Sequence, residues 1–216
     1  MLRADLHVHT GYSMDCTTPI ERIIDRCREV AIDCVAVADH GTVEGALRMR
    51  ETAPFPVVVA EEILTPQGEI MGVFLEHTIP SGGSIEETIE RIRDQNGLVC
   101  LPHPFDPLRK LRVSRRRLEE LAPEIDIIEA FNARSPIPWS GANARAGAFA
   151  DRHGIAKCAG SDAHDPREIG STYVEMPEFE GRDGYLRALV EGKITGLRAS
   201  PFMHFRTVWT KLRKAL

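Results

Sequence analysis

Short apolar runs rich in β-branched residues alternate along this chain with segments whose apolar residues recur at helical spacing. Runs such as CVAVA at 34–38 and VVVA at 57–60 indicate buried strands, because strands covered on both faces are hydrophobic almost throughout. Such βα units in succession predict a mostly parallel sheet. The predicted strands cover residues 4–8, 34–38, 57–60, 70–75, 98–101, 125–131, 155–159 and 172–174.

The segments between these strands carry recognisable helix signals. The run TPIE at 18–21 offers Thr as an N-cap, proline at the first helical position and a capping-box glutamate. The run SIEE at 84–87 repeats the device, and Gly97 is placed to end that helix. Two more helices are predicted over residues 140–153 and 184–191. With no internal repeat and no linker in the sequence, we expect one domain.

Size and composition restrict the class of protein. A chain of 216 residues with 27% charged side chains and a formal net charge of -5 fits one soluble α/β domain. No apolar run approaches the ~18 residues of a membrane span, and we expect neither secretion nor contact with a membrane. Five cysteines without a Cys-x-x-Cys pair favour reduced thiols and a cytoplasmic location. The acidic balance gives no general attraction for nucleic acid.

Two histidines stand two residues apart in the first predicted strand, within the run DLHVHTGYSMD. Side chains alternate along a strand, so His7 and His9 should point from the same face. Two imidazoles aimed at one point suit a metal ion. From this spacing alone, a strand whose histidines face solvent explains the pattern equally well.

The other candidate ligands strengthen the metal hypothesis, because each follows the end of a predicted strand. These residues are His40, Glu61, Glu62, His103, Asp162 and His164. Active sites of (β/α) barrels are built on the face where the strands end. Histidine, aspartate and glutamate together suit divalent Mn, Fe or Zn. We therefore expect a metal site at that face.

The motifs DLHVHTGYSMD, VADHG, PHPFD and GSDAH, with the glutamate strand between the second and third, run through nearly the whole chain. In order and spacing they resemble the PHP (polymerase and histidinol phosphatase) domain superfamily of metal-dependent phosphoesterases. The resemblance implies an α/β fold, a distorted (β/α)7 barrel of the TIM-like kind, over residues 1–199, with two to three divalent ions. We expect residues 200–216 to form a basic helix that packs its aromatic side chains on the barrel.

The resemblance also implies which residues hold the metals. One ion would be held by His7, His9, Asp162 and a bridging glutamate, another by Asp15, His40 and His164, and a further one by His103 and the same glutamate.

The bridging glutamate ends a Gly-x-Glu triplet in relatives, which aligns with Ala60, Glu61 and Glu62 here. We choose Glu62, and alternation then turns Glu61 to the opposite side of the strand. Relatives often supply a further histidine in a strand like GEIMGVFL, where this chain has Met71. The site beside His103 is therefore expected to be weak, empty or completed by water.

Asp39 directly precedes His40 in the sequence, and Asp5 stands two residues before His7. Asp5 and Asp39 are predicted to orient imidazole rings by accepting the remote N–H, as carboxylates near metal sites commonly do. The alternative for Asp39 is that it simply ends its strand.

The predicted reaction is hydrolysis of a small phosphorylated metabolite or nucleotide by attack of a metal-activated hydroxide. The predicted catalytic residues are Glu62, Asp162 and His164. Arg109, Arg134 and Asn132 follow strand ends on the same face and are predicted to bind the substrate, since a guanidinium fork fits phosphate oxygens.

Two other functions remain open. One is a phosphodiesterase or exonuclease acting on nucleic acid ends, for which the run RKLRVSRRR at 109–117 would form a positive lip. The later part of that run is also explained as the exposed first turns of a helix after Ser114, and few stacking aromatics stand near the motifs. The other is a non-catalytic metal-binding domain. The sequence indicates no oligomeric state.

Overall fold

The computed structural model describes residues 1–109, 112–135 and 137–196, and the helix expected at 200–216 lies outside this part of the chain. The strands are β1 Leu2–Val8, β2 Cys34–His40, β3 Val57–Thr65, β4 Gly68–Val73, β5 Leu98–Leu101, β6 Ile127–Asn132, β7 Ala156–Gly160, β8 Thr172–Met176 and β9 Lys193–Gly196. The α-helices are α1 Ile20–Glu29, α2 Glu44–Thr52, α3 Ile85–Asp94, α4 Arg115–Leu121, α5 Ala142–His153 and α6 Gly181–Glu191. None of these helices has the length and apolarity that crossing a bilayer requires.

The strands of the described residues form one sheet in the order β7-β6-β5-β4-β3-β2-β1-β8-β9. Strands β1 to β3 and β5 to β7 pair in parallel, whereas β4 runs antiparallel to both of its neighbours. The sheet nearly closes on itself where Val8 pairs with Ala163 after β7, and the N–H of His9 donates to the carbonyl of Ala163 at 2.9 Å. The distorted (β/α)7 barrel in a single domain is therefore confirmed, with β8 and β9 as an antiparallel extension beyond β1.

Two apolar clusters separate the inside of the barrel from its helical coat. Along β2, Ala36 and Ala38 belong to the inner cluster, whereas Val35 and Val37 belong to the outer one against the helices. Because side chains alternate, the next inward position after Ala38 is His40, at the end of the strand. Along β2, the inward side chains thus change from small apolar residues to a histidine where the barrel opens.

The helix starts show which local signals decide a boundary. The capping box of α3 is present, since Ser84 Oγ accepts from the N–H of Glu87 at 3.2 Å and Glu87 Oε2 accepts from the N–H of Ser84 at 2.8 Å. The cap predicted at Thr18 is wrong, because its hydroxyl donates to the carbonyl of His164 at 3.1 Å and caps nothing. Thr18 instead ties the loop after β1 to the loop after β7.

The sequence pattern missed α2 and β9. Helix α2 buries only Gly45, Ala46 and Met49, which is too few residues for a clear helical stripe. A Cβ at position 45 would overlap side-chain oxygens of Asp39 and Thr10, so glycine lets α2 approach the barrel closely. Strand β9 is an edge strand that is mostly half-exposed, and its short KITG sequence carries little strand signal.

Candidate metal centre

The eight side chains predicted as metal ligands converge at the mouth of the barrel. They are His7, His9, Asp15, His40, Glu62, His103, Asp162 and His164, and none has a side chain more than 7% exposed. Ionisable groups avoid such burial unless they are paired or coordinate a metal. These histidines and carboxylates lie next to one another, an arrangement that also suits a bound metal ion.

The end of β1 brings His7, on the strand, and His9, directly after it, to one point. Its pairing with β2 shifts register between Asp5 and Val8, and the Nε2 atoms of His7 and His9 face each other at 3.1 Å. Gly160 of β7 makes this possible, because a Cβ there would overlap the Cβ and backbone nitrogen of His7. Only glycine lets β7 pass β1 so closely at this position.

Backbone strain accompanies two of the side chains at strand ends. His103 and Asp162 adopt positive φ angles of 26° and 55°, which are uncommon for residues that carry a Cβ. Such conformations persist where surrounding contacts enforce them, and they cluster at functional sites. The turns after β5 and β7 thus aim these side chains into the mouth.

Glu62, on β3, lies at the centre of the cluster. Its Oε2 is 3.3 Å from Nε2 of His7, 3.6 Å from Nε2 of His9 and 3.5 Å from Nε2 of His40. Its Oε1 lies 2.9 Å from Nε2 of His103. One carboxylate therefore contacts His7 on β1, His9 directly after β1, His40 at the end of β2 and His103 in the turn after β5.

Glu61 faces the other way, as strand alternation predicts. Its Oε2 accepts the N–H of Ile79 at 2.8 Å, away from the histidine cluster. Burial raises the pKa of Glu61 to about 7, and the hydrogen bond from Ile79 opposes that rise. Glu61 and Glu62 are therefore adjacent carboxylates in different surroundings.

Asp15 and Asp162 complete two further groups. Asp15 Oδ2 lies 3.1 Å from His164 Nε2 and 3.4 Å from His40 Nε2, and Asp162 Oδ1 lies 3.3 Å from His9 Nε2. Two groups have ligand atoms within 4.8 Å of one another: one is His9, Asp15, His40 and His164, and the other is His7, His9 and Asp162.

Glu129, on β6, is a member of the site that sequence reasoning missed. Its Oε1 accepts from Nδ1 of His7 at 3.0 Å, and its Oε2 accepts from the N–H of His103 at 2.8 Å and from Nδ2 of Asn132 at 3.0 Å. A histidine that donates from Nδ1 presents its Nε2 lone pair, the form that binds a metal. The signal for Glu129 was an acid in the otherwise apolar run IIEAFN.

Glu69, on β4, is the second missed residue. Its Oε2 lies 3.6 Å from Nε2 of His103, and it forms a third potential ligand group with His40 and Glu62. Met71, which stands where relatives often have histidine, is buried in the inner apolar cluster. An acid on β4 thus approaches His103 from the direction where the family pattern leads one to expect an imidazole.

The predicted roles of Asp5 and Asp39 in orienting imidazoles are wrong. Asp39 accepts from the N–H and the hydroxyl of Thr10, both at 2.6 Å, and so fixes the loop after β1. Asp5 accepts from the N–H of Ser161 at 2.8 Å and of Gly170 at 3.0 Å. Burial raises the pKa of each aspartate to about 6, against the effect of these hydrogen bonds.

Arg109 contacts the cluster from the loop after β5. It forms an ion pair with Asp162, and its Nη2 lies 3.2 Å from both Asp106 Oδ2 and Asn132 Oδ1. Its side chain remains 27% exposed. Arg109 therefore lies between Asp162, a predicted metal ligand, and the solvent.

Arg134 and Asn132 lie deeper than Arg109. Arg134 is 3% exposed, with Nε 3.1 Å from Glu168 Oε1 and Nη1 2.6 Å from His164 Nδ1. The Asn132 amide donates to Asp162 Oδ2 at 3.2 Å, and it also donates to Glu129. Arg134 therefore contacts His164, and Asn132 contacts Asp162 and Glu129.

The charges of the site shift the pKa values of its histidines in opposite directions. Burial, followed by the nearby His164 and His40, lowers the pKa of His9 to about 3. Burial alone would lower the pKa of His40 as well, but the charges of Glu62 and Asp15 outweigh it and raise that pKa to about 9. His9 is therefore neutral near pH 7, as a metal ligand must be.

The donor set fits divalent metal ions. Imidazole nitrogens and carboxylate oxygens face one another at 2.9–3.6 Å in a buried mouth, and Nε2 of His7 lies 3.1 Å from Nε2 of His9. A shared cation satisfies such facing acceptors. Imidazole with carboxylate is the ligand chemistry of Zn, Fe and Mn.

Comparison with known proteins agrees with this geometry. Residues 5–54 match the PHP domain family, and residues 140–194 match the PHP-associated family. The uncharacterized protein MJ1587 of Methanocaldococcus jannaschii is 37% identical over 145 residues, which cover 61% of this chain and 82% of that protein. The uncharacterized protein MJ0417 of the same organism is 31% identical over 183 residues, covering 82% of this chain and 72% of that one.

A solved structure shares the fold. It is a two-domain protein from Bacteroides vulgatus that contains a predicted PHP-like metal-dependent phosphoesterase, with a TM-score of 0.73 and 16% identity. The match covers 90% of this chain and 64% of that protein, so this chain spans less than two thirds of it. Since family sequence patterns match both the first strands and the last third of the barrel, the chain belongs to the PHP (polymerase and histidinol phosphatase) domain superfamily.

Proposed function

We propose that this protein is a metal-dependent phosphoesterase that hydrolyses a small phosphorylated metabolite or nucleotide. The observation that carries the proposal is the position of Glu62, whose two oxygens face His7, His9 and His40 on one side and His103 on the other. A carboxylate in contact with separate ligand groups suits a cluster of ions rather than a single structural one. Two to three divalent ions of Mn, Fe or Zn are proposed.

The proposed catalytic residues act through this cluster. Divalent ions bound here would activate water and neutralise phosphoryl oxygens during in-line attack. Glu62 spans the ligand groups, Asp162 is held in place by Arg109 and Asn132, and His164 lies beside Asp15 at 3.1 Å. No protein nucleophile is required by this chemistry.

Substrate binding is proposed to rest on Arg109. Its guanidinium is partly exposed at the mouth, and its charge lies next to Asp162, where a phosphoryl group would approach. Asn132 and Arg134, which the sequence also predicts as substrate ligands, are buried and bonded to other site residues. We assign these two to positioning Asp162 and His164.

The arginines of α4 support a compact substrate over a nucleic acid. Arg116 pairs with Glu120 at 2.9 Å, Arg117 pairs with Glu120 at 3.3 Å, and Arg115 lies 3.9 Å from Glu119. Side chains paired in this way along a helix form an exposed face on which most of the positive charge is balanced by neighbouring carboxylates. They leave little unbalanced charge for a phosphate backbone.

A substrate panel tests the proposal. Sugar, amino-alcohol and nucleoside monophosphates, a dinucleotide and single-stranded RNA are each incubated with and without Mn²⁺. We expect Mn²⁺-dependent release of phosphate from monophosphates, abolished in Glu62→Gln and largely retained in Glu61→Gln, a matched change one residue away. Turnover of RNA in preference to monophosphates identifies a nuclease. Metal binding without turnover of any substrate identifies a non-catalytic metal-binding domain.

A further inference from the structure

We propose that Glu69 is a metal ligand of this protein, and that with Glu62 and His103 it forms an ion site richer in carboxylate than the family pattern implies. The inference rests on the proposed metal-dependent function. It concerns the one place where the chain departs from the ligand pattern of its family, the Met71 position on β4. Glu69 stands two residues earlier on the same strand.

The register of the sheet places Glu69 near the mouth of the barrel, close to the level of Glu62. In the antiparallel pairing of β3 with β4, Glu62 stands opposite Met71, and Leu64 stands opposite Glu69. Residues two apart on a strand share a face, so Glu69 points inward like Met71 but two residue pairs nearer the mouth. Met71 stands level with Glu62 and belongs to the apolar side chains of the inner cluster.

Distances then bring two carboxylates to one imidazole. Nε2 of His103 lies 2.9 Å from Glu62 Oε1 and 3.6 Å from Glu69 Oε2. Ligand atoms of Glu62, Glu69 and His40 also lie within 4.8 Å of one another. An ion placed among these atoms would have His40 of β2, Glu62 of β3 and Glu69 of β4 around it, with His103 of the turn after β5 next to both glutamates.

The surroundings of the Glu69 carboxylate also favour a bound cation. Its side chain is 16% exposed, and Oε2 is buried without a hydrogen-bond partner among the described residues. A buried carboxylate oxygen next to a second carboxylate is unfavourable unless a proton or a cation lies between them. Glu69 faces His103 as well as Glu62, and a cation satisfies all three groups at once.

The substitution of carboxylate for imidazole has a chemical consequence. Carboxylate oxygens suit Mn and Mg, whereas imidazole nitrogens favour Zn, Cu and Ni. A site made of two carboxylates and one histidine should therefore favour Mn²⁺ over Zn²⁺ more strongly than a site with two histidines. Glu69 would thus set the metal preference of this site as well as its occupancy.

The test measures metal binding directly and uses three variants. Metal-stripped protein is titrated with Mn²⁺ and, separately, with Zn²⁺, and stoichiometry and affinity are measured by calorimetry and elemental analysis. Glu69→Gln, which keeps the shape of the side chain, should lose one Mn²⁺ equivalent or weaken the weakest site by at least about tenfold. Glu61→Gln removes a buried carboxylate outside the cluster and should match wild type. Glu69→His should keep the ion count while shifting preference toward Zn²⁺.

The outcomes separate this inference from the function on which it rests. Wild-type protein that binds Mn²⁺, with Glu69→Gln equal to it in stoichiometry and affinity, overturns the role of Glu69 and leaves the proposed function intact. Wild-type protein that binds no divalent ion overturns both. If Glu69→Gln does not fold, Glu69→His decides alone, because an unchanged ratio of Zn²⁺ to Mn²⁺ affinity in that variant also overturns the inference.

Discussion

The hydrogen bond from His7 to Glu129 should tune metal affinity, although Glu129 is not proposed to touch the metal. We consider Glu129→Gln, which preserves volume and removes the charge. Both oxygens of Glu129 accept from donors, Oε1 from His7 and Oε2 from His103 and Asn132. A Gln amide has one oxygen and one NH₂ group. In either orientation the NH₂ group therefore faces His7 or the His103 and Asn132 donors, which lose their acceptor.

The expected magnitude follows from the loss of one charge-assisted hydrogen bond in a buried site. Glu129 is 1% exposed, so water cannot replace the lost acceptor. Bonds to charged groups are worth about 1.5–3 kcal/mol. If that loss falls on the metal-bound form, the affinity for the most tightly coupled ion drops roughly ten- to a hundredfold, the range typical for carboxylates that orient metal-ligating histidines.

The assay is calorimetric titration of metal-stripped protein with Mn²⁺, together with activity measured across a Mn²⁺ series. Activity of Glu129→Gln should recover substantially at high Mn²⁺, because a positioning residue acts through affinity. Glu61→Gln is the matched control, since it also removes a buried carboxylate but touches none of the site histidines. A Mn²⁺ affinity within twofold of wild type, or equal weakening in the control, would refute the reasoning.

Two further predictions follow from individual contacts. Arg109→Ala should lose about 1.5–3 kcal/mol of transition-state binding, roughly ten- to a hundredfold in kcat/KM for a monophosphate at saturating Mn²⁺, whereas alanine at all of residues 115–117 should change it less than about twofold. A tenfold loss in the triple variant would contradict the compact-substrate proposal. Gly160→Ala should destabilise folding by about 3 kcal/mol or more in urea titration, because its Cβ overlaps His7, and a change below about 1 kcal/mol would contradict the close approach of β7 to β1.

The sequence predicted the order and approximate position of the strands, but it missed some of their ends and their irregular interiors. Strand β3, for example, continues to Thr65, whereas the predicted strand stops at residue 60. Apolar runs such as that of β2 are local signals, and the histidine or acid that follows each run lies at the mouth because parallel strands end together. The error at Asp5 comes from the shifted register of β1 between Asp5 and Val8. Strict alternation would put Asp5 beside His7, but the shift separates their surroundings.

A second irregularity explains why Glu129 and Asn132 were not recognised as partners. The pairing of β6 with β7 shifts between Glu129 and Phe131, and the two polar side chains, three residues apart, are hydrogen bonded at 3.0 Å. A period of two turns such residues to opposite faces. Register shifts depend on the neighbouring strand, so the sequence of β6 alone does not contain this information.

The charge of the mouth implies an order of binding. Asp15, Glu62, Glu69 and Asp162 gather there, while the charge of Arg109 is already balanced by Asp162 and by the neighbouring Asp106. A phosphomonoester is itself an anion, and like charges at close range in a buried site repel strongly. His40, with its pKa raised to about 9, offsets part of this negative charge. On the proposed function we expect divalent ions to bind before a phosphoryl group enters, because each ion offsets two of the remaining negative charges. The carboxylates proposed to hold the metal ions would then also repel phosphorylated compounds from the metal-free protein, so we expect substrate affinity and metal affinity to be coupled.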